Sequence, residues 1–224
     1  MAQLADRAGV DLVSAGDSVG VTLWGHASEA ELTTEQMMVV CRAVRRGVTR
    51  ALLSADVPPS ALQQSADAAL KAATRLIAEA GADLVKVDVA ASSIDLVHAL
   101  AETGVAVWAQ LAPPEGTKAA LAVDDLVRDA QALEAAGAAL LDFRHSGPTA
   151  GPAVVAAVGI PVLGGLGGGP WLDGRVRSVP AAVGYFAAAA DDGLKRYANV
   201  AGSVLTAIDA LCQDVRAARP LRGE

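Results

Sequence analysis

The chain has 224 residues, enough for one sizeable domain with a well-buried core. Hydrophobic residues make up 53% and charged residues 19%, which argues against disorder. The formal net charge of −7 argues against nucleic acid or an anionic membrane as a partner.

The first residues, "MAQLADRAGVD", predict an amphipathic helix and not a signal peptide, because no apolar segment follows a basic start. No uninterrupted apolar run reaches the length of a membrane span. Cys41 and Cys212 lie far apart in helix-like sequence, so we expect unpaired thiols in a reducing compartment. We therefore expect a cytoplasmic protein.

One pattern recurs along the chain: an Ala-rich helical segment ends in Ala-Gly or a similar pair, and a short apolar run follows, as in "AEAGADLVKVD". Glycine just past a helix is a C-cap signal. An apolar run of about five residues is typical of a strand buried on both faces. The repeated unit is therefore a helix, a tight loop and a parallel strand.

The predicted strands lie near 11–15, 51–55, 83–88, 105–110, 138–143 and 161–165, with a further candidate near 178–184. The predicted helices lie near 2–8, 33–46, 60–80, 92–103, 124–136, 150–158 and 192–218.

This order predicts an α/β fold of the (βα)8 parallel-barrel type, in a single domain over 1–224. The strand count is one short of eight, and the chain opens on a helix with no strand before it. Either the first strand is absent or the barrel is completed in an unusual way. A doubly wound sheet remains the alternative.

Three aspartates, Asp17, Asp56 and Asp88, follow three successive predicted strands. Function collects at the carboxyl ends of strands in both architectures. Three converging oxygens would suit Mg²⁺, which prefers hard ligands and keeps positions for water and substrate. The alternative is that each aspartate caps the following helix.

Two pairs of charged residues share a face of their strand because their members are two residues apart. Lys86 beside Asp88 would orient an anionic substrate or hold a developing oxyanion, or would form a structural ion pair. Arg144 beside Asp142 would grip a carboxylate or phosphate, or would only neutralise its neighbour. His145 points away or into the loop and indicates little.

The three tryptophans, Trp24, Trp108 and Trp171, fall at or just beyond predicted strand ends. In a chain with so few aromatic residues they suggest an apolar wall around the site, with ordinary packing under loops as the alternative. The glycine run 164–169 resembles a phosphate-cradling loop, although it lacks the GxGxxG order.

The strand-end residues, in this order, resemble those of ketopantoate hydroxymethyltransferase, a family of the phosphoenolpyruvate mutase and isocitrate lyase superfamily. The segments "AGVDLVSAGDSVG", "ALLSADVPP", "EAGADLVKVD", "IPVLGGLGGGPWLDGRV" and "KRYANVAGSVLTAIDAL" carry the resemblance, which covers most of the chain.

The resemblance implies a Mg²⁺-dependent (βα)8 barrel in which a 2-oxo acid chelates the metal and its enolate attacks a one-carbon unit from methylenetetrahydrofolate. It implies that Asp17 and Asp56 bind the metal. It implies that Ser18 and Lys86 contact the 2-oxo acid. Asp88 takes the place of a glutamate near the metal. The family forms large oligomers, so the resemblance also implies a homo-oligomer.

Two further positions depart from the family pattern. Gln110 stands where the family has a histidine, and Arg144 stands where it has its catalytic glutamate. A permanent cation cannot serve as a base. Asp142 is a candidate substitute, although it lies about 6–7 Å deeper along the strand.

Three hypotheses follow. The first is a divergent enzyme that forms or breaks a C–C bond in a 2-oxo acid or related dicarbonyl through a Mg²⁺-stabilised enolate. In this hypothesis the catalytic residues are Lys86, Asp142 and Arg144. The residues around the small-molecule substrate are Ser18, Lys86, Gln110, Arg144 and the three tryptophans. The second is a metal-independent barrel that cyclises or rearranges a larger apolar specialised metabolite. The third is a non-catalytic ligand-binding paralogue.

Overall fold

The structure is a computed structural model and describes residues 1–88, 94–112, 122–165, 168–186, 189 and 193–220. The chain divides into two compact units, Met1–Arg175 and Val176–Glu224, and each is described by itself. In the described part of the chain, no helix is both long and apolar enough to cross a bilayer.

The described strands form one parallel sheet that follows chain order from β1 to β7 and is curled like part of a barrel. They are β1 (Leu12–Ala15), β2 (Leu52–Asp56), β3 (Leu84–Val87), β4 (Val107–Leu111), β5 (Leu140–Phe143), β6 (Val162–Gly164) and β7 (Gly174–Arg175). The expected (βα)8-type fold class is confirmed, with seven strands among the described residues.

The helices of the first unit are α1 (Ala2–Ala8), α2 (Val19–Trp24), α3 (Thr34–Arg45), α4 (Pro59–Gln64), α5 (Ala66–Ala78), α6 (Ile94–Glu102), α7 (Val123–Ala135) and α8 (Gly147–Ala157). A 3₁₀ helix lies at Glu29–Glu31. The second unit contains α9 (Val179–Val183) and α10 (Val200–Arg216).

Three of the expected elements were wrong in detail, and one of them is the helix expected over 192–218, which begins only at Val200. The segment near 178–184 is helix α9, because Pro180 lies in its first turn and Gly184 ends it with a φ of 65°. The single helix expected over 60–80 is two helices, because Ser65 is extended and its side chain accepts a hydrogen bond from Ala68 N at the start of α5.

The two faces of the sheet differ in chemistry. Alternate residues such as Leu53, Val85 and Leu141 belong to the apolar core cluster packed with the helices. The residues between them lie on the opposite, inner face and include the buried polar side chains of Asp56 and Lys86. The fold therefore gathers charged side chains inside the curl of the sheet.

The longest helix described in the second unit is α10, whose N-cap is Asn199. Its start is tied to α9 by hydrogen bonds from Tyr197 N to Ala182 O and from Ala201 N to Gly184 O. Four aliphatic side chains at helical spacing are each about half exposed: Val204, Ile208, Leu211 and Val215.

Candidate active site

Asp17 and Asp56 lie together at the carboxyl ends of β1 and β2. The Asp17 amide donates to Asp56 Oδ2 at 3.2 Å, and Ser14 Oγ donates to Asp56 Oδ1 at 3.4 Å. The caps of the helices that follow are Ser18 and Pro58, so neither aspartate is the N-cap of α2 or α4. The helix-cap alternative fails for both.

Ser18 borders the same space as the two aspartates. A Cβ placed on Gly16 would lie 3.5 Å from Asp56 Oδ2 and 3.7 Å from Ser18 Oγ. The hydroxyl and the carboxylate thus flank one glycine, where a single methyl group would make ordinary van der Waals contact with both.

Both aspartates carry a charge that burial disfavours. Burial raises the pKa of Asp56 to about 7, against the opposing effect of the Lys86 charge. The pKa of Asp17 is also raised, first by burial and then by the Asp88 charge. A cation bound between them would offset this cost. We call Asp17 and Asp56 the carboxylate pair.

Four further charges form a closed cycle of alternating sign, which we call the charge ring: Lys86, Asp88, Arg144 and Asp142. Lys86 Nζ pairs with Asp88 Oδ1 and lies 3.4 Å from Asp142 Oδ2. Arg144 Nε donates to the same Asp142 oxygen at 3.0 Å, and its NH2 group donates to Asp88 Oδ1 at 3.4 Å. The ring is neutral as a whole.

The carboxylate pair and the charge ring differ in net charge. Since the ring is neutral as a whole, ionisation of the carboxylate pair gives the site a net negative charge, which Lys86 offsets only in part. This donor set fits a divalent cation, because Mg²⁺ binds through one or two carboxylates and completes its shell with water or substrate. Asp17 and Asp56 are the residues that would hold it.

Asp88 does not join the carboxylate pair as a third ligand in this geometry, because its Oδ1 is paired with Lys86 and Arg144. Consistently, no group of three or more His, Cys, Asp or Glu side chains is arranged to hold a metal within the described ranges. The expected convergence of three aspartate oxygens is therefore not seen.

The two cations of the ring stay protonated. Burial acts to lower the pKa of Lys86, but Asp56, Asp88 and Asp142 outweigh it and raise this pKa. The pKa of Arg144 is likewise raised against burial, mainly by Asp142 and Asp88. Lys86 is 5% exposed, whereas the Arg144 side chain is 40% exposed and faces solvent at the rim.

The structure separates the three tryptophans. Trp24 is partly exposed at the end of α2, with its ring 6.5 Å from that of His26. Trp108 is 1% exposed and lies under Lys86, whose Nζ is 5.8 Å from the ring centroid. Trp108 therefore does not form an open wall, because the strand turns it into the curl of the sheet.

Trp171 is partly buried and packs closely against two glycines instead of lining an open wall. A Cβ on Gly151 or Gly169 would overlap its indole ring, and its Nε1 donates to Ser146 Oγ at 3.1 Å. Trp171 fills the space between α8 and the glycine-rich segment because both glycines lack side chains.

The remaining predicted residues lie at the same strand ends. Gln110 is half-buried and is in register with Asp142 on the neighbouring strand. His145 is exposed with a φ of 55°. Of the glycine run, Gly164 lies against Phe143 O and Gly168 against Leu172, which indicates close packing, while 166–167 lie outside the described residues.

Sequence reasoning missed Ser14 and helix α2. Ser14 lies on the inner face of β1, in register with Ser54, and its position one strand from Asp56 follows from the alternation of β1. The helix directly after "AGDS" is six residues long and has no apolar periodicity that would predict it.

Comparisons with known proteins identify the family and the fold of the chain. The sequence model of a family described as "Ketopantoate hydroxymethyltransferase" matches residues 1–219. A curated 3-methyl-2-oxobutanoate hydroxymethyltransferase of Pyrococcus abyssi is 34% identical over 96% of this chain and 79% of its own. One of Geobacillus kaustophilus is 32% identical over 96% and 81%.

Several solved structures share the fold of this chain at low sequence identity. A 2,3-dimethylmalate lyase, described as a member of the PEP mutase/isocitrate lyase superfamily, matches with a TM-score of 0.63 at 16% identity and covers 100% of this chain and 81% of its own. A phosphonopyruvate hydrolase in complex with oxalate and Mg²⁺ matches with a TM-score of 0.60 at 18% identity and covers 97% and 79%.

Proposed function

Because the chain belongs to the ketopantoate hydroxymethyltransferase family, we propose that it is an enzyme that forms or cleaves a C–C bond in a 2-oxo acid. The observation that carries this proposal is the carboxylate pair, two neighbouring acids whose negative charge the neutral charge ring offsets only in part. Mg²⁺ bound by Asp17 and Asp56 would polarise the substrate carbonyl and stabilise the enolate.

The substrate's acid group would be held by Ser18 and Lys86. Ser18 Oγ lies on the side of Gly16 that faces the carboxylate pair. Lys86 is buried and positively charged, so it would donate hydrogen bonds to an anionic oxygen in a poorly hydrated place, where such contacts are strong. Gln110 would add a neutral donor from the next strand.

Arg144 and Asp142 would line the side of the site away from the carboxylate pair. Asp142 anchors both cations of the charge ring, and we propose that it also takes the C3 proton of the substrate in place of the family's glutamate. Arg144 holds Asp142 through Nε, and its guanidinium is 40% exposed. It would accept an additional anionic group of the substrate. This difference from the family pattern supports a reaction other than unaltered hydroxymethyl transfer, and methylenetetrahydrofolate would serve only if the parent reaction is retained.

Enolate formation can be measured directly in solution. We expect the protein with MgCl₂ to exchange the C3 proton of 3-methyl-2-oxobutanoate in D₂O, or to release formaldehyde from ketopantoate, as followed by NMR. D17A should abolish both signals and calorimetric Mg²⁺ binding. Turnover that persists in EDTA would favour the metal-independent barrel, and ligand binding without any turnover would favour the non-catalytic paralogue.

We also propose a homo-oligomer in the cytoplasm. The half-exposed aliphatic side chains of α10 are spaced by four, three and four residues, which is typical of a helix–helix seam. Cys41 and Cys212 are free thiols, as expected in a reducing compartment. Light scattering tests this seam by comparing L211E with the control Q213E, a change two residues away on the same helix. L211E should have a lower molar mass in solution than Q213E. Equal masses for the two variants would contradict the seam.

A further inference from the structure

We propose that Trp108 is a positioning residue that fixes the Lys86 ammonium through its indole face. This inference rests on the function proposed above, in which Lys86 holds the substrate's acid group.

The two residues are placed for this contact by the sheet itself. Lys86 on β3 and Trp108 on β4 are register partners on the inner face. Lys86 Nζ lies 5.8 Å from the centroid of the Trp108 ring, within the range of a cation–π contact. Lys86 is 5% exposed and Trp108 is 1% exposed, so water does not weaken the attraction.

The charge ring engages at most two of the three N–H groups of the Lys86 ammonium, through Asp88 and Asp142. Asp88 and Asp142 attract Lys86 Nζ, and each of them is shared with Arg144. The carboxylates of the charge ring attract Nζ toward themselves. The aromatic face attracts the ammonium as well, but it accepts no proton and adds no full charge. The ammonium can thus keep donor capacity for a substrate oxygen.

The indole acts through its face and not through its N–H group. Trp108 Nε1 is buried and has no hydrogen-bond partner among the described residues. A phenylalanine would therefore lose no hydrogen bond while it keeps an aromatic face, although a smaller one. A leucine keeps apolar volume and removes the face. This difference separates positioning from simple filling of space.

The experiment measures binding of oxalate in the presence of MgCl₂ by calorimetry, with full-length W108F, W108L, K86M and W108L/K86M. We expect W108L to weaken oxalate binding about tenfold and W108F to stay within about threefold of the wild type. In the K86M background, W108L should have no further effect on affinity, because the lysine through which it acts is gone. L100A, a core truncation on α6, controls for lost stability.

Two results would overturn the inference: equal weakening by W108F and W108L, or the same loss from W108L with and without Lys86. Failure of the wild type to bind oxalate would count instead against the proposed function. The contact is then judged by urea unfolding of the wild type, W108L, K86M and W108L/K86M. Non-additive midpoints for W108L and K86M support it, and additive midpoints contradict it.

Discussion

Lys86 Nζ on β3 lies 3.4 Å from Asp142 Oδ2 on β5, although β4 separates the two strands in the sheet. The sheet must therefore curl enough to bring side chains of alternate strands together on its inner face. This contact closes the charge ring, and it isolates the carboxylate pair as the part of the site with unbalanced charge.

The first prediction concerns the pH dependence of stability without metal. Because burial raises the pKa of Asp56 from 3.8 to about 7, its ionisation is easier in the unfolded chain. The folded protein should therefore lose stability as the pH rises from about 4 to about 7. D56N should remove much of this loss, as measured by urea midpoints in EDTA. D95N, at an exposed site on α6, should behave like the wild type.

Without metal at neutral pH, D56N should be more stable than the wild type. Addition of MgCl₂ should make the wild type the more stable of the two. The wild type gains the free energy of metal binding, and D56N does not. Equal stabilisation of D56N by Mg²⁺ would show that the metal binds elsewhere.

The second prediction concerns Arg144 and metal affinity. R144M removes one positive charge from the charge ring and releases Asp88 from one of its two cationic partners. We expect Mg²⁺ to bind R144M about tenfold more tightly than the wild type, corresponding to about 1.4 kcal/mol. R144K keeps the charge and should remain close to the wild type. Calorimetry with MgCl₂ measures this, and weaker binding to R144M would contradict the charge balance.

The sequence predicts the strands well and the pairing of charges poorly. Strands β1 to β6 were found because each is a short apolar run after a glycine or turn, a local signal. Asp17 and Asp56 were placed together because both end neighbouring parallel strands. The partners of Asp88 could not be predicted, since its choice between a metal and the cations Lys86 and Arg144 depends on side-chain positions across the curled sheet.

The third prediction concerns Asp6, which joins α1 to the start of β2 away from the candidate site. Its carboxylate accepts hydrogen bonds from the amides of Thr49, Arg50 and Ala51. These bonds, led by that from Ala51, lower the pKa of Asp6 strongly despite burial. D6N should lower the unfolding temperature by several degrees at pH 7, because an amide replaces one accepting oxygen with a donor.

This loss has a defined pH dependence. A depressed carboxyl pKa contributes stability above the unfolded value of 3.8, and that contribution fades as the pH falls below it. The difference between wild type and D6N should thus shrink in acid. Calorimetric scans from pH 7 to pH 3 test this, with exposed D11N as the control. A difference that is constant with pH would contradict the role given to the Asp6 charge.

The fourth prediction concerns the packing of Trp171 on α8. A Cβ at Gly151 would overlap Cδ1 and Nε1 of the indole, so G151A must displace the ring and its hydrogen bond to Ser146. Alanine is the better helix former, yet the overlap should dominate and cost about 1–3 kcal/mol in urea unfolding. G159A is the control, because its Cβ would meet only the end of the flexible Glu134 side chain, at 3.2 Å. In a W171L background, G151A should become nearly neutral, since the ring that opposes it is gone. A similar cost of G151A with and without Trp171 would show that the glycine serves the backbone of α8 and not the indole.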